Sequence, residues 1–221
     1  MKKDLNKKFG FTLSEVLITL GIIGIVAVLT IPAVMKNYRN RLYVAQLQKT
    51  YAQISDAVQA IMTDEHTGSF YETKAASENT CTNADSGDCS AGAGYFLNKY
   101  FKVVKRNCAS GANACAASSY KSISGADAGQ LAGDYCIQTT NGAAICMKRN
   151  AVGTEGFLID LNIDVNGPAD PNITGRDVFY LTIQPNGAVT DYRDSSESAC
   201  SNPTSAGCFN KVRNAGWKME Y

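Results

Sequence analysis

The sequence predicts an α+β chain in which one long N-terminal helix, first membrane-spanning and then amphipathic, packs on an antiparallel β-sheet of about four strands. Three observations carry this. From Val16 to Ile31 no side chain is charged, and the only side-chain polar atoms are the hydroxyls of Thr19 and Thr30. Beyond that run, Val44, Leu47, Tyr51, Ile54, Val58 and Ile61 recur at steps of three and four, a single apolar stripe at helical period. From Tyr135 onward the period changes to two, the spacing of strands with one buried face.

The first element runs from Phe11 to Met35, about 37 Å of helix at 1.5 Å per residue, enough to cross a hydrocarbon core of about 30 Å. Ahead of it lies a basic leader, residues 1–10, with four lysines against Asp4. By the positive-inside rule this leader holds the N-terminus in the cytoplasm and sends the rest of the chain across. Lys36, Arg39 and Arg41 pull the other way, so the leader has to dominate. A secretory signal cut near Ala33 fits poorly: such signals have apolar regions of about 7–15 residues, and this run is longer and continues into more helix. Glu15 is the one carboxylate at the start of the run. An ionisable group in such a segment is costly and calls for a partner. The nearest cation, if the leader is removed, is the new α-amine of Phe11. That amine reaches a Glu15 of a neighbouring chain staggered by about one turn more easily than its own.

The stretch Lys7-Lys8-Phe9-Gly10-Phe11-Thr12-Leu13-Ser14-Glu15-Val16 with the apolar run after it resembles the cleavage and methylation segment of type IV prepilins and type II secretion pseudopilins. Gly10 matches the last leader residue, Phe11 the new N-terminus and Glu15 the fifth mature residue, while Gly24 and Pro32 fall where that family places helix breakers. The resemblance covers about the first 50 residues. It implies removal of the leader by a prepilin peptidase, methylation of Phe11 and docking through Glu15. It also implies a pilin-like fold, in which the amphipathic half of the helix covers the sheet. The partners it implies are copies of the chain or other pilins, the peptidase and methylase, and an inner-membrane assembly platform. The precursor would sit in the inner membrane with one span and its globular part outside the cytoplasm, then join an extracellular or periplasmic filament.

Composition bounds the remainder. The chain has 221 residues, net charge +1 and pI near 7.5, so nothing global suggests nucleic acid or an acidic substrate. Apart from the anchor, about 170–180 residues suffice for one domain, expected over 36–221. All eight cysteines lie from Cys81 onward, in the part expected to be exported, and an even count there reads as disulfides. Proximity alone suggests pairing 81 with 89, 108 with 115, 136 with 146 and 200 with 208. With no CxxC and one histidine, a zinc site finds little support.

The helix is expected to continue through Pro32, kinked or loosened between Gly21 and Pro32, to about residue 63, with Gly68 closing it. Residues 64–134 lack large apolar groups and read as an irregular, cysteine-held connection, with short helical patches at Tyr95–Phe101 and near Ala126–Leu131. In 135–221, Cys136–Thr139 and Ala143–Cys146 flank Thr140-Asn141-Gly142. A three-residue loop with Gly142 left-handed sets Cys136 opposite Cys146, whereas a two-residue Asn-Gly turn offsets them by one. Phe157, Ile159, Leu161, Ile163 and Val165 alternate with polar residues, and Phe179, Leu181 and Ile183 repeat the pattern. Pro185-Asn186-Gly187 then turns into Val189–Tyr192. The Cys200–Cys208 loop closes the chain, with Trp217 expected on the sheet edge.

Few residues suggest chemistry. Asp160, Asn162, Asp164, Asn166, Asp170, Asn172 and Asp177 are hard oxygen ligands close in sequence. Read from Asn162 they partly mimic a calcium loop, but position twelve is Ile173 where a bidentate Glu is needed. Major secretion pseudopilins bind calcium beside their sheet, so the resemblance allows calcium here. The plainer reading is a solvated strand face running into an Asx-type turn, with no cofactor and no metal. His66 has no partner motif, and no GxSxG, P-loop, HExxH or reactive-cysteine signature is present. Lys102, Lys105 and Arg106 beside Tyr100 and Phe101 could touch DNA but read better as a solvated helix end. The chain is therefore expected to be a structural filament subunit and not an enzyme. The alternative is a membrane-anchored binding or adhesion domain that never polymerises.

Overall fold

The computed structural model describes residues 10–109, 114–152, 156–201 and 206–221. The leader's lysines and Asp4 lie outside them. Two units divide the chain, residues 1–39 and 40–221. One helix, α1 (Leu13–Asp64), contributes to both and passes through Pro32 without interruption.

Within the first unit the helix is apolar all round from Val16 to Met35. Leu17, Ile18, Leu20, Ile23, Ile25, Val28 and Leu29 are each at least 60% exposed, with nothing from the same unit against them. The helix is long and apolar enough to cross a membrane.

The second unit is α+β, as the sequence predicts. Its elements in order are the residues 40–64 of α1, β1 (Thr80–Asn83), β2 (Asp88–Ala91), α2 (Gly92–Tyr100), β3 (Val103–Arg106), β4 (Tyr120–Ser122) and β5 (Asp127–Gly129). Then come β6 (Tyr135–Thr139), β7 (Ala144–Val152), β8 (Gly156–Asp164), β9 (Ile173–Thr174), β10 (Val178–Ile183), β11 (Val189–Asp191) and α3 (Cys208–Asn214). Strands β6, β7, β8, β10 and β11 form the expected antiparallel meander. It is extended by β3 beside β6, and by β9, β4 and β5 beyond β10, to nine strands. The extra strands escape sequence reading because they are two to four residues long and are fixed by pairing, not by an apolar period. In particular, Asp127–Gly129, expected within a helical patch, pairs with β4 instead.

Alternation decides which side of the meander faces the helix. Ile145 and Met147, Ile159, Leu161 and Ile163, and Phe179, Leu181 and Ile183 all point to one face and are at most 1% exposed. Leu47, Ile54, Val58 and Ile61 of α1 join them in a single core, with Phe96 and Leu97 of α2 and Phe209 and Val212 of α3. The hairpin register is the three-residue-loop form, with Cys136 opposite Cys146 and Gly142 at φ 91°. All four disulfides pair neighbours: 81–89, 108–115, 136–146 and 200–208.

Three local expectations are corrected. Gly68 does not close α1. His66 takes the left-handed conformation (φ 52°), its N–H donating to the Thr63 carbonyl while that of Thr67 donates to Met62. This is a Schellman cap in which an exposed histidine replaces the usual glycine. Trp217 packs on Tyr51 of α1 and Phe209 of α3, with ring centroids 5.8 and 6.0 Å away, and not on the sheet edge. The third correction concerns the outer face of the sheet, part of which is covered and not solvated. Cys108, Cys115, Ala116, Tyr120 and Leu131 lie over part of it, and with Val178, Ala144 and both the 108–115 and 136–146 disulfides they form a second, smaller core. The Cys108 N–H donates to the Cys136 carbonyl at 3.1 Å, tying that cover to the meander.

Candidate functional site

The N-terminal segment is built around the first turn of α1. Gly10 and Phe11 precede it, Phe11 is 89% exposed, and a side chain at Gly10 would meet nothing within 4 Å. Thr12 is the N-cap. Its backbone N–H and its Oγ1 hydroxyl both donate to Glu15 Oε2 at 2.7 Å, and the Glu15 N–H points back to Thr12 Oγ1 at 3.3 Å. This is a capping box, in which residue and carboxylate satisfy each other's orphan donors, and the helix dipole favours negative charge at the same end. Sequence reasoning weighed Glu15 against the Phe11 amine, its own or a neighbour's, and not against the Thr12 cap. The Thr-x-x-Glu spacing is the signal that reveals its local role. Gly10, Phe11 and Glu15 thus lie within one turn at the open start of an apolar helix.

Four acidic residues singled out from the sequence, Asp160, Asp164, Asp170 and Asp177, each have their own partners. Asp164 is fully buried and accepts a 2.7 Å hydrogen bond from the Tyr120 hydroxyl, which itself accepts from the Ala117 N–H. Burial holds its carboxyl up at about 7, with the nearby charge of Asp177 adding to the effect and the Tyr120 bond opposing it. Asp177, also buried and also raised, accepts from the backbone N–H groups of Asn172 (2.8 Å) and Ile173 (2.7 Å), fixing the turn before β10. Asp160 is bonded by Arg193 Nη2 at 3.0 Å, Asn150 Nδ2 at 2.7 Å and Thr182 Oγ1 at 2.8 Å. Asp170 takes only the Asn172 amide, while Asn166 donates to the carbonyls of Ala169 and Asp170. These carboxylates are therefore each engaged by donors of the protein itself: backbone N–H groups, amides, hydroxyls and a guanidinium. Among the described residues no three His, Cys, Asp or Glu side chains are placed to hold a metal ion.

The other residues singled out from sequence have structural positions. His66 is the helix cap described above. Lys105 and Arg106 lie exposed on β3, the edge strand beside β6, where cations discourage pairing with another sheet. Lys99, not predicted, bonds the Tyr95 hydroxyl at 3.0 Å and pairs with Asp64 at 3.4 Å.

No curated protein and no solved structure matches the chain. A family model does: residues 5–31 match the prokaryotic N-terminal methylation motif, spanning Gly10, Phe11 and Glu15. Motif and exposed apolar helix together fit a membrane-anchored precursor, and the motif points to a structural subunit. Residues 5–31 thus carry a prepilin-type signal of the kind found in type IV pilins and pseudopilins, and this motif supports a type IV pilin-like precursor.

Proposed function

We propose that the chain is a subunit of a type IV pilus-like or type II secretion pseudopilus filament, cut by a prepilin peptidase after Gly10, methylated on Phe11 and assembled through α1. The observation that carries this reading is the methylation motif set on a helix with fourteen large apolar side chains exposed between Leu13 and Met35. At about 1.5–3 kcal/mol each on full burial, their transfer from water is worth on the order of 20 kcal/mol or more. They belong in lipid before assembly and against the helices of other subunits after it. Copies of the chain or other pilins, the peptidase and methylase, and an inner-membrane platform are the partners. The four disulfides suit a globular part outside the cytoplasm. Glu15, already turned toward the helix start by Thr12, would exchange that contact for the Phe11 amine of a neighbour.

Intact mass spectrometry of membrane and sheared surface fractions tests processing. The expected species begins at Phe11 with one added methyl and eight fewer hydrogens. A chain still starting at Met1, or cut near Ala33, refutes the reading and leaves an anchored or secreted binding domain. Glu15→Ala is expected to be cut normally but to yield no filaments. Filaments of normal length in that variant would remove Glu15 from assembly.

A further inference from the structure

The second core covers only part of the sheet's outer face. Rows across β7, β8 and β10 show where it stops. Ala144, Asp164 and Val178 lie under the cover, and Cys146, Asn162 and Tyr180 form its margin. The next row, Lys148, Asp160 and Thr182, is left outside it. Over these rows opens a cavity of about 400 Å³, within the usual range for small-molecule sites. Asp127, Ala128 and Ala132 form one wall and Tyr192 the other.

The chemistry of the lining is specific. The Tyr180 and Tyr192 rings stand edge-to-face, centroids 6.1 Å apart at 62°, and both are half-buried. Burial pushes the Tyr180 phenol up to about 12, so it stays neutral. Two carboxamides face the same space with capacity left over. Asn150 uses its Nδ2 on Asp160, and Asn162 uses its Nδ2 on the Ala132 carbonyl at 2.5 Å, so each keeps its Oδ1 as an acceptor. Among the described residues the Lys148 ammonium has no hydrogen-bond or ion-pair partner. The charges balance: Lys148 and Arg193 against Asp127 and Asp160, with Arg193 held by Asp160 and by the Tyr192 ring, 4.8 Å from its centroid. An anion would meet two carboxylates, and a cation would meet the lysine.

We propose that this cavity binds a neutral polyhydroxylated ring, a sugar residue, with the Tyr180 and Tyr192 rings meeting its C–H surface and Asn150, Asn162 and Lys148 its hydroxyls. Aromatic side chains give contact area at a wet site, and groups that both donate and accept match hydroxyls that do the same. The site lies wholly in the second unit, and the inference does not depend on whether the chain polymerises.

The test uses the full processed chain in a sugar-free zwitterionic detergent, titrated with glucose, galactose, mannose and N-acetylglucosamine and followed by saturation-transfer NMR. Glucuronate and glucosamine serve as charged controls. At least one neutral sugar is expected to bind saturably in the millimolar range, more tightly than either control. Tyr192→Ala and Lys148→Ala should each weaken it by about tenfold. Lys148 is a partly exposed side chain without a partner among the described residues, so its loss tests the site even if Tyr192→Ala fails to fold. No saturable binding by any neutral sugar up to about 50 mM would overturn the proposal. So would tighter binding of a charged control, or affinity unchanged in both variants.

Discussion

Asp164 gives the chain a pH dependence opposite to that of a salt-bridged carboxylate. Its ordinary value is 3.8, and in the fold burial raises it to about 7. Between those values the unfolded chain has released the proton and the folded chain still holds it, so the folded state binds more protons and stability falls as pH rises. Below about 4 and above about 7 the contribution is flat. At full slope the loss is about 1.4 kcal/mol per pH unit, and between pH 5 and pH 7 it comes to about 2 kcal/mol. For a chain of this size that is about 4–8 °C in Tm. Asp177 and Asp191, raised by burial as well, act in the same direction, while exposed Asp64, lowered by the Tyr100 hydroxyl, acts against it. Asp164→Asn isolates the single group, because the amide keeps an oxygen for the Tyr120 hydroxyl and cannot ionise. Thermal melts by circular dichroism on the oxidised, processed chain at pH 5, 6 and 7 are the assay. The stability difference between variant and parent should move by about 2 kcal/mol in favour of the variant from pH 5 to pH 7. Equal pH slopes in the two proteins would refute the reasoning, since a carboxyl that ionises alike in both states contributes no slope.

The remaining predictions are local. Replacing Cys136 and Cys146 together by Ala removes a buried link between β6 and β7 and should cost about 2.5–3 kcal/mol on the chain-entropy estimate, read from the denaturant midpoint. A loss under about 0.5 kcal/mol would mean that the paired register alone fixes the hairpin. His66→Gly should stabilise the chain by about 0.5–1 kcal/mol, because glycine takes the left-handed cap without the Cβ penalty. A destabilised variant would show that the imidazole makes a contact of its own. Calcium in place of chelator should leave Tm unchanged, since Asp164 and Asp177 are bonded to protein donors. A rise that saturates with calcium would establish a site in the Asp160–Asp177 loop.

The parts of the fold legible in the sequence are those where one side chain reports one environment. The stripe from Val44 to Ile61 and the alternation from Phe157 to Val165 each named the buried face, and the cysteine spacing at 136 and 146 selected the hairpin loop. The polar half of the same alternation was ambiguous. Asp160 and Asp164 look identical in sequence whether their face meets water or is covered. Asp164 lies under a layer that includes Cys108, Cys115, Tyr120 and Leu131, from a stretch with too few apolar residues to announce a core, and Asp160 is covered by Arg193 and Asn150. His66 was opaque for a related reason, because left-handed backbone at a residue with a side chain is imposed by the cap and leaves no mark in composition. At the N-terminal site Gly10, Phe11 and Glu15 were all visible, and so was the Thr12 spacing. The cavity beside Tyr180 was not, since its walls come from strands paired only in the folded sheet.

The four disulfides share a property that bears on how the chain is delivered. Partners are separated by only 8, 7, 10 and 8 residues, and no pair encloses or overlaps another. Eight thiols offered at once could combine in 105 ways. If the part of the chain after the apolar helix is exported in sequence order, with the N-terminus held behind, the second thiol of each pair would arrive before any thiol of the next. Oxidation in order of emergence would then write the native set directly, and a thiol oxidase with no proofreading partner would be enough.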